Sequence, residues 1–286
     1  AIGLVGSEMC IRDSYLIMHH NPVYIKNLSH RYPDGNLALD NINLSIKANE
    51  KVALIGANGS GKSTLQFHLN GIFLPQTGEV SIGEWTINDK NLVHIRNFVG
   101  VVFQNPDNQL FMPTVWEDVA FGPMNKGIKG NELKLTVIEA MEAVNIEPHL
   151  YGDRNPDNLS GGEKKRVAIA GVLAMNPQVL VLDEPSAQLD PCSRRQLINL
   201  LHKLPLTLLV ATHDLDLAWE LCERTIILSK GKVVYDGKTD RIMSDHTFLE
   251  KHALEAPLSF SRAYCNLEDR PNLTLANNHQ LSLISD

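Results

Sequence analysis

Residues 51–64, KVALIGANGSGKST, decide the fold. KVALIG (51–56) is a short, nearly unbroken apolar run, the pattern of a strand buried on both faces of a parallel sheet. Gly56-Ala57-Asn58-Gly59-Ser60-Gly61-Lys62-Ser63 fits the spacing G-x-x-x-x-G-K-[ST], and KSTLQFHLN reads as a helix stopping at Gly71. Glycines at these positions let successive backbone N–H groups turn inward around phosphate oxygens, at the positive end of the following helix. Lys62 would bridge the β- and γ-phosphates of a nucleoside triphosphate, and the Ser63 hydroxyl would coordinate Mg²⁺.

Working outward, VYIKNLSHRY and LALDNINLSIK are strand-like segments separated by the turn PDGN. EVSIGEWTI (79–87) and FVGVVFQ (98–104) return to strand character. From about 115 to 175 the strands disappear: Val137, Ile138, Met141 and Val144 recur at helical spacing, and GEKKRVAIAGVLAM forms a second helix stopped at Asn176-Pro177. Parallel-sheet strands resume with VLVLD (179–183) and LTLLVAT (206–212), with PCSRRQLINLLHKL as the helix between them. DLDLAWELC is a further helix, and TIILSKGKVVYDG a hairpin turning at Lys230-Gly231. The expectation is an α/β core with a parallel sheet, an antiparallel β portion near the start and a helical insertion at about 112–175.

The 286 residues carry 33 acidic and 26 basic side chains, a formal charge of -7, which argues against a surface built for a nucleic-acid backbone. No uncharged apolar run approaches the ~18 residues needed to span a bilayer. Cys10, Cys192, Cys222 and Cys265 lack metal-site spacing and read as reduced thiols of a cytosolic protein. Segment 1–17 has no secretory pattern. It joins nothing that follows, so residues 1–20 are expected to be a disordered or non-native extension, with a natural start at Met18. The main domain is expected at 21–250 and a C-terminal tail at 251–286, with weak periodicity and loose order expected from Ala256 onward.

A bound triphosphate needs a carboxylate element as well. VLVLD would deliver Asp183 to the carboxyl end of a parallel strand, where such groups act on Mg²⁺, and the adjacent Glu184 would be the general base for the attacking water. Leu159-Ser160-Gly161-Gly162-Glu163 opens a helix, and its free amides together with Ser160 make a second anion-seeking helix start about 100 residues from the first.

In this order the motifs of 23–250 resemble those of ATP-binding-cassette (ABC) ATPases, which are P-loop NTPases. LSGGE resembles the family's signature motif, Gln104 its Q-loop glutamine, Ser186-Ala187-Gln188-Leu189-Asp190 its D-loop, and His213 its switch histidine. Tyr32 resembles the aromatic that stacks on adenine. Gln188 departs from the pattern, standing where glycine is common. The resemblance implies ATP and Mg²⁺ as ligands, with Tyr32, Gly56, Asn58, Gly59, Ser60, Gly61, Lys62, Ser63 and Thr64 on the nucleotide and Ser63, Gln104 and Asp183 on the metal. Glu184, His213 and Gln104 would carry catalysis. It further implies a head-to-tail pair of cassettes, as a homodimer or with a paralogue, in which Ser160, Gly161 and Gly162 meet the nucleotide of the partner chain.

VVFQNPDNQLFMPTVWEDVAFGPMN (101–125) is similar to the corresponding stretch in ATPases of energy-coupling-factor importers for cobalt, nickel or vitamins. This implies a peripheral position on the cytoplasmic face of the cell membrane. The partners implied are a membrane-embedded coupling subunit, docked near Gln109 and Phe111, and a substrate-binding membrane subunit, with no nucleic acid. The alternatives are a soluble ABC ATPase acting on nucleic acid or ribosomes, a P-loop kinase or GTPase, and a cassette that binds ATP only as a scaffold.

Overall fold

The computed structural model describes residues 22–257. The expected extension at 1–20, Cys10, Cys265 and the tail past residue 257 lie outside that range. Two sheets form the frame. The first contains β1 (Val23–Arg31), β2 (Leu37–Ile46), β4 (Thr77–Ile82) and β5 (Trp85–Thr86), antiparallel in the order β2-β1-β4-β5. The second contains β3 (Lys51–Ile55), β6 (Val99–Val102), β7 (Val179–Asp183), β8 (Thr207–Thr212), β9 (Arg224–Ser229) and β10 (Lys232–Lys238), in the order β10-β9-β3-β8-β7-β6. It is parallel except for the β9–β10 hairpin.

Continuous apolar runs suit this sheet because both of its faces are covered. Along β3, Val52 and Leu54 join the core shared with the antiparallel sheet, while Ala53 and Ile55 join the core under the helices. β7 divides the same way, Val179 and Val181 to one side and Leu180 and Leu182 to the other. Ten helices lie among the described residues. They are α1 (Lys62–Leu69), α2 (Leu92–Phe98), α3 (Val115–Asn125), α4 (Gly130–Ala143), α5 (Pro148–Tyr151), α6 (Gly161–Leu173), α7 (Pro191–Lys203), α8 (Leu215–Leu221), α9 (Thr239–Met243) and α10 (His246–Lys251). Helices α3 to α6 follow one another without a strand, and Val119, Val137, Met141 and Val167 are buried among them.

Two segments differ from the sequence expectation. EVSIGEWTI is not one strand but two, because Gly83 takes a positive φ of 56° and turns the chain into a tight hairpin. FVGVVFQ begins as the end of α2 and becomes a strand only at Val99. Beyond the boundary expected at residue 250, α10 runs to Lys251 and Leu254 is buried in the helical-side core.

Candidate functional site

Parallel strands align their carboxyl ends on one edge of the sheet, and the candidate residues collect there. β3 runs into Gly56, β6 into Gln104, β7 ends in Asp183 and β8 hands over to His213. A cavity of about 950 Å³ lies along this edge, lined by residues 56–64, Tyr32, Gln104, Asp183, Glu184 and His213. Ala253–Pro257 also line it, a wall that no motif in the sequence announced.

The glycine loop is shaped for a ligand. Gly59 and Gly61 have φ of +76° and +108°, and a Cβ on Gly61 would come within 2.5 Å of the Ala38 carbonyl oxygen. Helix α1 starts immediately after Gly61 with no side-chain cap, which leaves its first amides for an incoming acceptor. The buried Ser60 hydroxyl has no hydrogen-bond partner among the described residues. Lys62 is buried and its Nζ donates to the carbonyls of Gly56 (2.6 Å) and Ala57 (3.2 Å). Burial pulls its pKa down, opposed by the charges of Glu184 and Asp183. Tyr32 presents its ring at the other end, its hydroxyl 2.9 Å from Thr64 Oγ1. It rests edge-on against His30, with ring centres 5.0 Å apart.

Across the cavity, burial and the neighbouring Glu184 raise the pKa of Asp183. Glu184 is buried at a φ of +43°, with Oε2 accepting from the Thr212 hydroxyl (3.0 Å) and the His213 amide (3.2 Å). Its Oε1 lies 2.8 Å from His213 Nδ1. A carboxylate held by several donors next to an exposed imidazole can accept a proton from water while the imidazole reaches toward the ligand. Ser63, Asp183 and Gln104 offer hydroxyl, carboxylate and amide oxygens, the hard donors that suit Mg²⁺, and a divalent cation would keep the half-buried Asp183 ionised.

The glycine loop and the strand-end carboxylates Asp183 and Glu184 fall within residues 39–187, which the ABC transporter family model fits. The chain belongs to the ABC transporter family. It is an ATP-binding, ATP-hydrolysing transporter subunit. It is 57% identical over 241 residues to a putative ABC transporter ATP-binding protein of Gloeobacter violaceus, covering 84% of this chain and 99% of that one. The energy-coupling factor transporter ATP-binding protein EcfA of Methanocaldococcus jannaschii is 46% identical over 240 residues, 82% and 85% of the two chains. Among solved structures, cbiO1 of Clostridium perfringens, part of the ABC transporter complex cbiONQ, superposes with a TM-score of 0.73 at 38% identity, over 81% and 94% of the chains. A dimeric ATP-binding cassette in a post-hydrolysis state with ADP and Pi gives 0.68 at 33% identity, over 76% and 98%.

Not every candidate of this ABC subunit meets at the cavity. Ser160 caps α6 in a reciprocal arrangement: its hydroxyl accepts from the Glu163 amide (3.3 Å), while Glu163 Oε2 accepts from the Ser160 amide (2.8 Å). Ser160, Gly161 and Gly162 are absent from the cavity lining, and Ser160 and Gly161 are exposed to solvent. Gln109 is half-buried, its amide accepting from the Phe103 amide (3.2 Å) and donating to the Ala168 carbonyl (3.0 Å). Phe111 is exposed and packs edge-on against Phe121.

Sequence reading missed two groups. Asp214 accepts from Arg194 Nε (3.1 Å), the Ser186 hydroxyl (3.0 Å) and the Leu217 amide (2.9 Å), tying the 186–190 loop to the residue after His213. Lys165 is only 2% exposed, and burial lowers its pKa to about 8. The Gln188 departure has a cost, because that residue sits at a φ of +63°, where a side chain is strained by roughly 1–2 kcal/mol.

Proposed function

We propose that this chain is the ATPase of an energy-coupling-factor importer for a metal ion such as cobalt or nickel, or for a vitamin. It works at the cytoplasmic face of the membrane, through a membrane-embedded coupling subunit and a substrate-binding membrane subunit. Among the described residues no helix is long and apolar enough to cross a membrane. The exposed Phe111, Phe121 and Met124 offer an apolar surface for the coupling subunit.

The observation that carries the mechanism is the separation of two anion-binding elements. The phosphate loop lines the cavity, whereas Ser160 and Gly161 at the start of α6 are exposed elsewhere on the same chain. Two cassettes paired head to tail, with themselves or a paralogue, bring the two elements together around each ATP. The dimeric ADP-and-Pi relative supports that arrangement. Tyr32 stacks on adenine, and Gly56, Asn58, Gly59, Ser60, Gly61 and Thr64 surround the phosphates with Lys62. Ser160, Gly161 and Gly162 close on the γ-phosphate from the second cassette. Ser63, Asp183 and Gln104 would hold Mg²⁺, which supplies charge neutralisation on the β- and γ-phosphate oxygens.

Glu184 accepts the proton of the attacking water, and His213 contacts the γ-phosphate. Loss of the γ-phosphate removes the link between the two surfaces, so the pair reopens and moves the membrane subunits. The test is Glu184→Gln. ATP binding is expected to persist while turnover falls by about 10²–10⁴-fold. Unchanged turnover would remove Glu184 as the base.

A further inference from the structure

A lysine ammonium buried inside a protein costs several kcal/mol unless charge or hydrogen bonds compensate it, and an apolar residue of similar length packs the same space without that cost. Lys165 is among the largest fully buried side chains of the molecule. It stands one turn into α6, whose next residues in the core, Val167 and Ile169, are apolar. What Lys165 reaches is backbone: Nζ donates to the Gln104 carbonyl at 2.6 Å and to the Phe103 carbonyl at 3.3 Å.

Two further ties run between the same two segments. Lys164 Nζ lies 2.7 Å from Asp107 Oδ1, and Gln109 bridges the Phe103 amide to the Ala168 carbonyl. The stretch 103–109 is therefore fastened at three points to α6, the helix that begins at the Ser160 cap. Of the three, only the Lys165 tie grips the residue whose side chain lines the nucleotide cavity.

We propose that Lys165 is a positioning residue for Gln104. Its buried ammonium clamps the Phe103 and Gln104 carbonyls to α6, so that the Gln104 side chain is held at the cavity and moves as one body with Ser160–Gly162. This rests on the assignment of Gln104 to the metal made above. The consequence is mechanical. Any displacement of the α6 start against a partner's nucleotide carries Gln104 in its own site, linking the two sites of a cassette pair.

The test is a double-mutant cycle on the full chain in its native assembly, with Lys165→Met, Gln104→Ala and the pair. Steady-state ATP hydrolysis and binding of a fluorescent ATP analogue are the readouts. Lys165→Met is expected to lower kcat by about 10- to 100-fold, the usual effect of losing a group that orients a ligand residue, with analogue affinity unchanged. Added to Gln104→Ala it should cost nothing more, because both act through one side chain. Lys165→Arg, which keeps a cationic donor, should recover part of the rate.

A wild-type rate for Lys165→Met overturns the proposal. So do losses that multiply in the double variant, which would make Lys165 independent of Gln104. Full activity of Gln104→Ala beside a slow Lys165→Met would instead overturn the role given to Gln104, and the route through it. If Lys165→Met is insoluble, Lys165→Gln, a neutral donor, takes its place in the cycle with the same expectations.

Discussion

His68 makes the fold measurably sensitive to acid. It lies in α1 with none of its surface exposed, its Nδ1 donating 2.7 Å to the Thr64 carbonyl and its Nε2 buried with no hydrogen-bond partner among the described residues. The rings of His30 and Phe73 close the site, at centre distances of 4.9 and 5.8 Å. Such a place accepts a neutral imidazole and rejects a charged one, and burial depresses the His68 pKa from 6.5 to about 4. Because the folded-state value is the lower one, the stabilisation is complete above the unfolded value of 6.5 and is lost as the pH falls through about 4. Linkage puts the loss at about 2 kcal/mol between pH 7.5 and pH 5, and about 3 kcal/mol by pH 4.

His68→Phe keeps a ring of similar size and removes the titration. Urea unfolding of the nucleotide-free protein at fixed ionic strength, repeated from pH 7.5 to 5, should give a variant whose stability falls less steeply by that ~2 kcal/mol. The carboxylates titrate in both proteins, so the difference between the curves reports His68 together with its coupling to His30. Parallel curves would refute the reasoning. The site matters for function because His30, also lowered in pKa by burial, supports the ring of Tyr32, and the Tyr32 hydroxyl meets Thr64.

Two other perturbations follow from the same geometry. Lys62→Ala removes a charge-assisted donor worth about 1.5–3 kcal/mol, so titration with a fluorescent ATP analogue should show affinity weaker by about 10- to 100-fold; unaltered affinity would contradict the phosphate-loop assignment. Asp214→Ala deletes the cap of α8 and leaves the Arg194 guanidinium with Glu220 alone, which should lower urea stability by about 2 kcal/mol. A change within a few tenths would show that the Ser186–Asp214–Arg194 network is not structural.

What the sequence made legible was whatever had a local cause. KVALIG and VLVLD are apolar throughout because the strands they form are covered on both faces, and the glycine loop announces itself because Gly59 and Gly61 need positive φ. The strand-end positions of Gln104, Asp183 and His213 then follow from parallel topology. Elements too short to show a period escaped: α2 buries only Ile95, and α9 and α10 have five and six residues. Groups whose meaning lies in a distant partner escaped too. Lys165 looks like one more early basic residue of a helix until its reach to Gln104, 61 positions away, is seen. The same holds for Gln109, whose amide serves the interior, and for Ala253–Pro257 beside the nucleotide cavity.

The central claim concerns what encloses the nucleotide, and an ATP-bound structure of the Glu184→Gln variant in its native assembly tests it most directly. The account predicts a γ-phosphate gripped by the glycine loop of one cassette and by the Ser160–Gly162 amides of a second. A γ-phosphate surrounded by a single chain, with every copy of Ser160–Gly162 turned to solvent, would contradict it.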